Sequence, residues 1–206
     1  MLLYLVRHGE TNANALGQIQ GQLDTELSPL GKRQAKAVSE RLAGEEIDAI
    51  VCSPLRRARD TAAAIAERLG LELIVDPTWM EINAGIFQGL DWNTIRERYP
   101  VEAASWKSHD PDFVIPQGES RRGLMERAMR ALQTVRAMPY QRVLVVAHGG
   151  ILSAGIKAIL DIPARRNPFV LQNGSISQVN WQDDPRLITL NQTDHLSYDV
   201  TGGGDL

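Results

Sequence analysis

The sequence holds a single cysteine, Cys52, among its 206 residues. That excludes an internal disulfide and any metal cluster built on cysteine ligands. Long apolar runs are missing as well. The longest near the N-terminus is the five-residue stretch before Arg7, too short for a secretory core or a membrane span. This reading expects a cytoplasmic protein with no membrane partner. There is no excess of positive charge: the formal net charge is −3, with 22 Lys and Arg. No nucleic-acid partner is expected, and a basic site would need several of those cations gathered in one pocket. The Gly-rich nucleotide signatures GxxxxGK[ST] and GxGxxG are absent, as is HExxH. Nucleotide-loop and zincin chemistry fall away with them. Asn173-Gly-Ser and Asn191-Gln-Thr match the glycosylation pattern, and without an export signal they are read as chance.

What is present alternates between two periodicities. Leu2–Val6 is a continuous apolar run, which suits a strand buried on both faces. Ser28-Pro29 opens a helix, with Ala35, Val38 and Leu42 at helical spacing and Gly44 after it. Ile47–Val51 reads as a second strand. Ser53-Pro54 repeats the Ser-Pro opening, and that helix closes at Gly70. Residues 71–75 form a third strand. Glu119–Met138 reads as a helix, 143–147 as the most apolar strand, Ile151–Leu160 as a helix, and 175–181 and 187–191 as two last strands. The pattern predicts an α/β fold, a three-layer α/β/α sandwich around a mainly parallel central sheet.

One domain over 1–200 is expected, with 201–206 as a flexible tail. Residues 78–117 interrupt the alternation. They carry three of the four tryptophans, Trp79, Trp92 and Trp106, and an irregular lid or side subdomain with one or two short helices, such as 91–99, is expected there. Those tryptophans and Phe87 are open to two readings, an apolar entrance or simple core.

In parallel sheets ligands bind beyond the carboxyl ends of the strands. Arg7-His8-Gly9 follows the first strand, Cys52-Ser53 and a double arginine follow the second, and His148-Gly149-Gly150 follows the strand at 143–147. Two imidazoles and at least one guanidinium at one edge suit an oxyanion. Arginine's planar fork matches phosphate oxygens in pairs, and glycines let backbone approach the ligand. His195 and His109 carry blander readings, as a packing residue and a surface loop residue.

These residues resemble the histidine phosphatase superfamily, in its phosphoglycerate-mutase-like branch. LVRHGETNAN, GQLDTELSPLGKRQA, CSPLRRARDTA, MEINAGIFQG, PQGES and VLVVAHGG each resemble one of its motifs in order, and NQTDHL resembles a common C-terminal feature. The resemblance implies a metal-independent phosphomonoesterase with no cofactor, acting on a small phosphorylated metabolite. By it His8 is the nucleophile, and Arg7, Arg57 and His148 hold the phosphoryl oxygens. Asn14, Gly21 and Gly149 contribute to substrate binding, and Glu81 moves the proton. Arg56 and Arg59 are read as peripheral. Members of that family are often dimers, so a homodimer stays open.

Two positions depart from the pattern: Ala13 stands where an aromatic is frequent, and Met80 where an arginine is common. Both bear on substrate preference rather than on the chemistry. Only 37 residues separate Glu81 from Glu119, with Arg96, Arg98 and Lys107 as their cations. A short lid admits water and favours hydrolysis over mutase action, the runner-up reading. A phospho-ligand-binding protein without turnover is a third reading, and a metallohydrolase on His8, His148 and His195 a fourth.

Overall fold

The computed structural model describes residues 1–196; the expected tail lies outside the described residues. Six strands form one sheet in the order β3-β2-β4-β1-β5-β6. They are β1 (Leu2–Arg7), β2 (Ala49–Cys52), β3 (Leu73–Val75), β4 (Arg142–Ala147), β5 (Ile176–Asn180) and β6 (Arg186–Gln192). The first four run parallel, β5 pairs antiparallel with β1, and β6 pairs antiparallel with β5. The sheet is therefore mixed and mainly parallel, as the alternation of elements predicted.

Side chains alternate across a strand, so a strand buried on both faces feeds two cores. Leu3 and Leu5 of β1 join Val143, Val145 and Ala147 in one cluster. That cluster takes in α6 (Arg121–Arg136) and α7 (Gly149–Ile159). Tyr4 and Val6 face the other way, with Ile50, Leu144 and Val146. There they meet α2 (Pro29–Leu42) and α3 (Arg56–Leu69) through Val38, Leu42, Ala62 and Ile65. Each fully buried aliphatic side chain contributes roughly 1.5–3 kcal/mol.

The first Ser-Pro opening behaves as predicted. The Ser28 hydroxyl accepts from the Gly31 amide and Pro29 is the first residue of α2. The second does not. α3 starts at Arg56 behind Leu55, with no side-chain cap. The Ser53 hydroxyl accepts from the Leu55 amide and pairs with His148 instead. A proline keeps the residue before it extended, so Ser53 stays with the strand end rather than entering a helix.

Residues 78–117 fold as two single 3₁₀ turns plus α4 (Trp92–Arg98) and α5 (Pro100–Lys107). Trp79, Phe87, Ile95, Trp106 and Ile115 are all buried in the same cluster as α6 and α7. The segment extends that core; Trp79 and Phe87 are core residues, while Trp106 also edges a cavity described below.

One backbone crossing decides how closely the site's first loop meets α2. A Cβ on Gly31 would lie 1.9 Å from the Glu10 carbonyl oxygen, and one on Gly9 would lie 2.4 Å from the Gly31 carbonyl oxygen. The obstacle is backbone on both sides, so it cannot swing aside. Gly31→Ala is expected to cost about 1–3 kcal/mol, read as a lowered urea midpoint at unchanged slope.

Candidate active site

Register brings the strand ends together. Val6 pairs with Val146 and Arg7 with Ala147, and Cys52 pairs with Val146. The next residues, His8, His148 and Ser53, therefore leave three neighbouring strands at one level. The His8 amide donates to the Ala147 carbonyl at 3.0 Å and the Ser53 amide to the Val146 carbonyl at 3.1 Å. The two imidazoles meet edge to face, ring centroids 5.1 Å apart.

His8 is only 2% exposed. Its Nδ1 donates to the Gly9 carbonyl at 2.7 Å, while its Nε2 accepts from Arg57 Nε at 3.3 Å. Both contacts require the same tautomer, with the proton on Nδ1 and the lone pair on Nε2. Burial, then the Arg57 and Arg7 charges, hold the His8 pKa well below its ordinary value. The imidazole is thus neutral and its Nε2 carries a free lone pair rather than a proton, the state a nucleophile needs.

Arg57 is anchored by its other nitrogens, which donate to the Leu23 carbonyl at 2.7 Å and the Gly21 carbonyl at 2.8 Å. Burial pushes its pKa down to about 10, so it remains a cation at neutral pH. Arg7 donates to the Leu171 carbonyl at 2.5 Å. The flanking Arg56 lies outward, bridged to Glu26 at 2.5 Å.

His148 is fully buried, and burial followed by Arg57, His8 and Arg7 lowers its pKa well below the ordinary range. Its Nε2 is 2.8 Å from the Ser53 hydroxyl. That hydroxyl already accepts from the Leu55 amide, so its own hydrogen is available for Nε2. The proton then sits on His148 Nδ1, which has no partner among the described residues. A buried N–H left unpaired is costly, and a bound oxyanion would satisfy it.

Glu81 comes from the segment after β3 and docks on the start of α7. Its carboxylate accepts from the amides of Gly150 at 2.9 Å, Ile151 at 3.1 Å and Ile82 at 2.8 Å. Those α7 amides lack intrahelical partners, so a distant residue caps the helix that His148 begins. The dock requires glycine: a Cβ on Gly150 would stand 2.5 Å from a Glu81 carboxylate oxygen. Behind it, Arg127 donates to the carbonyls of Thr78, Met80 and Glu81 and bridges Glu119.

Arg7, His8, Asn14, Gly21, Arg57 and Glu81 line one cavity, together with Gly150. His148 meets the His8 ring beside it, and Gly149 edges the adjoining cavity. Asn14, the third residue of α1 (Asn12–Ala15), closes a capping box with Thr11, and its side-chain oxygen accepts from Asn173. Asn173 also donates to the His8 carbonyl at 3.1 Å and is 1% exposed, so it serves the site rather than a surface sugar. His195 belongs to the turn at 194–196, and its Nε2 donates to the Gly174 carbonyl at 2.9 Å. His109 lies in an exposed turn with φ 59°. Ser53, Gly150, Arg127 and Asn173 were not identified from sequence. Gly150 and Ser53 sat inside quoted motifs, and Arg127 lies eight residues, two helical turns and a little, beyond the Glu of PQGES. Asn173 stands out in the sequence only as part of a glycosylation pattern, which does not point to the site.

The histidine charge state has a measurable consequence. In the unfolded chain His8 and His148 take up protons as pH falls below about 6.5; in the folded chain they do not until well below that. The unfolded state binds more protons in this window, so acid favours unfolding. Stability is expected to be flat above pH 7 and to fall below 6.5. Each histidine contributes a slope of up to about 1.4 kcal/mol per pH unit. Urea titrations from pH 7.5 to 5.5 on the wild type and His148→Asn read the difference; equal slopes would show that His148 is not held neutral.

An unprotonated imidazole nitrogen among buried cations, with a carboxylate in the same cavity, is suited to attack on an anionic ester followed by proton transfer. The chain is 37% identical over 187 residues to a probable phosphoglycerate mutase GpmB of Proteus mirabilis, covering 90% of this chain and 87% of that one. It is 38% identical over 200 residues to a metal-independent phosphoserine phosphatase of Arabidopsis thaliana, covering 95% and 83%. Among solved structures, a mycobacterial glucosyl-3-phosphoglycerate phosphatase in complex with VO3 superposes with a TM-score of 0.84 at 36% identity, covering 93% and 99%. A phosphoserine phosphatase mutant of Entamoeba histolytica with phosphoserine gives 0.86 at 29%, covering 95% and 98%. The family described as histidine phosphatase superfamily (branch 1) matches residues 3–193, and the chain belongs to that family.

Proposed function

We propose that this protein is a phosphomonoesterase that hydrolyses small phosphorylated metabolites through a phosphohistidine on His8. The observation that carries the reading is the His8 tautomer: the Gly9 carbonyl and Arg57 Nε together leave Nε2 unprotonated at the cavity that Arg7, Asn14 and Glu81 line. Nε2 attacks phosphorus in line, and the bond from phosphorus to the ester oxygen breaks. Arg7, Arg57 and the unpaired His148 Nδ1–H stabilise the three equatorial oxygens. Glu81 donates a proton to the departing alcohol. In the second half Glu81 takes a proton from water as that water attacks the phosphohistidine, which returns His8 and releases phosphate. Asn14 and the Gly21 backbone bound the phosphate side, and Gly149 begins the helix on which Glu81 rests.

The relatives named as mutases make phosphoryl transfer within phosphoglycerate the second reading. The short segment between Glu81 and Glu119 favours hydrolysis, because it leaves little chain to seal the intermediate from water. Phosphate release from a panel of monoesters in excess chelator, with conversion of 3- to 2-phosphoglycerate assayed beside it, separates the two. Chelator-resistant release with little isomerisation is expected. Isomerisation without release would replace this reading with the mutase.

A further inference from the structure

A second cavity adjoins the catalytic one, and Ile82 and Gly150 belong to both walls. Its floor is a stripe along α7. Gly150, Ser153, Ala154 and Lys157 follow at i, i+3, i+4 and i+7, one face of a helix. Lys157 begins about 10 Å from Gly150 along the axis, and helical side chains lean back toward the N-terminus. Its stem therefore runs toward the catalytic end.

The lining also brings Arg121, whose guanidinium carbon lies over the Trp106 ring, 3.4 Å from its centre. Arg121 donates to the Trp106 carbonyl at 2.9 Å, and Lys157 Nζ donates to the Arg166 carbonyl at 3.0 Å. Neither forms an ion pair with any described carboxylate, and no acid lines the cavity. Lys157 is only 6% exposed. Burial and the Arg121 charge lower its pKa, and burial lowers that of Arg121 to about 10. Two cations that repel one another, one of them buried, and both without an acid, are unfavourable unless an anion arrives.

We propose that this cavity binds a carboxylate on the substrate's leaving group, with Arg121 and Lys157 as its recognition residues. The inference rests on the phosphatase reading and specifies its substrate: the phosphate ester of a small hydroxy or amino acid. The side is correct, because Glu81, the proton donor to the leaving oxygen, docks on Gly150 at the junction of the two cavities. The charge is also right. A second phosphate dianion would need backbone amides as well, and those at the start of α7 are occupied by Glu81. The remaining polar groups, Ser153 and Asn167, hydrogen-bond each other, and Leu124, Phe169 and Leu171 make the rest apolar.

Matched esters differing only in the carboxylate test this. O-phosphoserine is compared with O-phosphoethanolamine, and 3-phosphoglycerate with glycerol 3-phosphate. Dissociation constants are measured by calorimetry on His8→Ala, which keeps both cavities without turnover, and kcat/KM is measured on the wild type. Charged hydrogen bonds of this kind correspond to at least about tenfold, so the carboxylate member of each pair is expected to bind at least about tenfold tighter. That ratio should fall by about tenfold when Lys157→Met or Arg121→Gln is added, and Lys157→Arg should retain most of it. Ratios within twofold, or ratios that neither substitution changes, overturn the inference. Absence of turnover on every ester by the wild type would instead overturn the phosphatase reading, and the binding ratios would still decide the subsite.

Discussion

His8→Ala will reduce phosphate release by about 10⁵-fold or more, the scale seen when a covalent nucleophile is removed. Few other groups can take its place. His148 Nε2 is committed to Ser53 and its ring stands edge-on behind His8. Direct attack by water would have to occur where His8 now stands, with no group set to take its proton on that side. Because Arg7 and Arg57 remain, ester binding should survive, so kcat falls much further than KM changes. A second readout ties the loss to chemistry. Quenching in alkaline detergent during turnover should trap a base-stable, acid-labile phosphoryl group on the wild type and none on the variant. Turnover within tenfold of wild type in the variant would dismiss the phosphohistidine route.

Glu81→Gln carries the next largest expected effect, about 10²- to 10⁴-fold in kcat, the range for a positioned acid–base group. The amide is nearly the same size. Its oxygen can still accept from the Ile151 and Ile82 amides, but its NH₂ then faces the Gly150 amide that the other carboxylate oxygen now meets. The diagnostic is leaving-group dependence. An alkyl phosphate needs its departing oxygen protonated, whereas p-nitrophenolate leaves without help. The variant should therefore form the phosphoenzyme from the aryl ester far faster than from an alkyl ester, yet hydrolyse it slowly, giving a burst of nitrophenol. Equal losses for both esters in the phosphorylation step would remove Glu81 from the proton-donor role.

The strand and helix order was legible because it rests on local patterns. The run at 143–147 is buried on both faces and could hardly be anything but a central strand. The two histidines were legible for a related reason: His8 and His148 each follow a strand directly, so parallel register fixed their level. What escaped depends on contacts between distant segments. Ser53 looked like a helix cap and is taken by a histidine 95 residues away. Gly150 is needed only because Glu81, 69 residues earlier, lies where its side chain would be. Arg127 gathers carbonyls 46 to 49 residues back. The role of the tryptophans was similarly undetermined, since composition does not tell a core from an entrance. The paired cations Arg121 and Lys157 lie 36 positions apart, and nothing local relates them.

The parallel register of β1, β2 and β4 also governs how the site is lost. The amides of His8 and Ser53 donate into the ladder itself, to Ala147 and Val146. No hinge separates the imidazoles from the strands that carry them, so they cannot be released while the central sheet persists. Local opening should therefore spare this part of the molecule, and its slowest-exchanging amides should include those next to the nucleophile. His8, Ser53 and the sheet are expected to open as one cooperative unit, so heat inactivation should show no midpoint of its own apart from that of the fold.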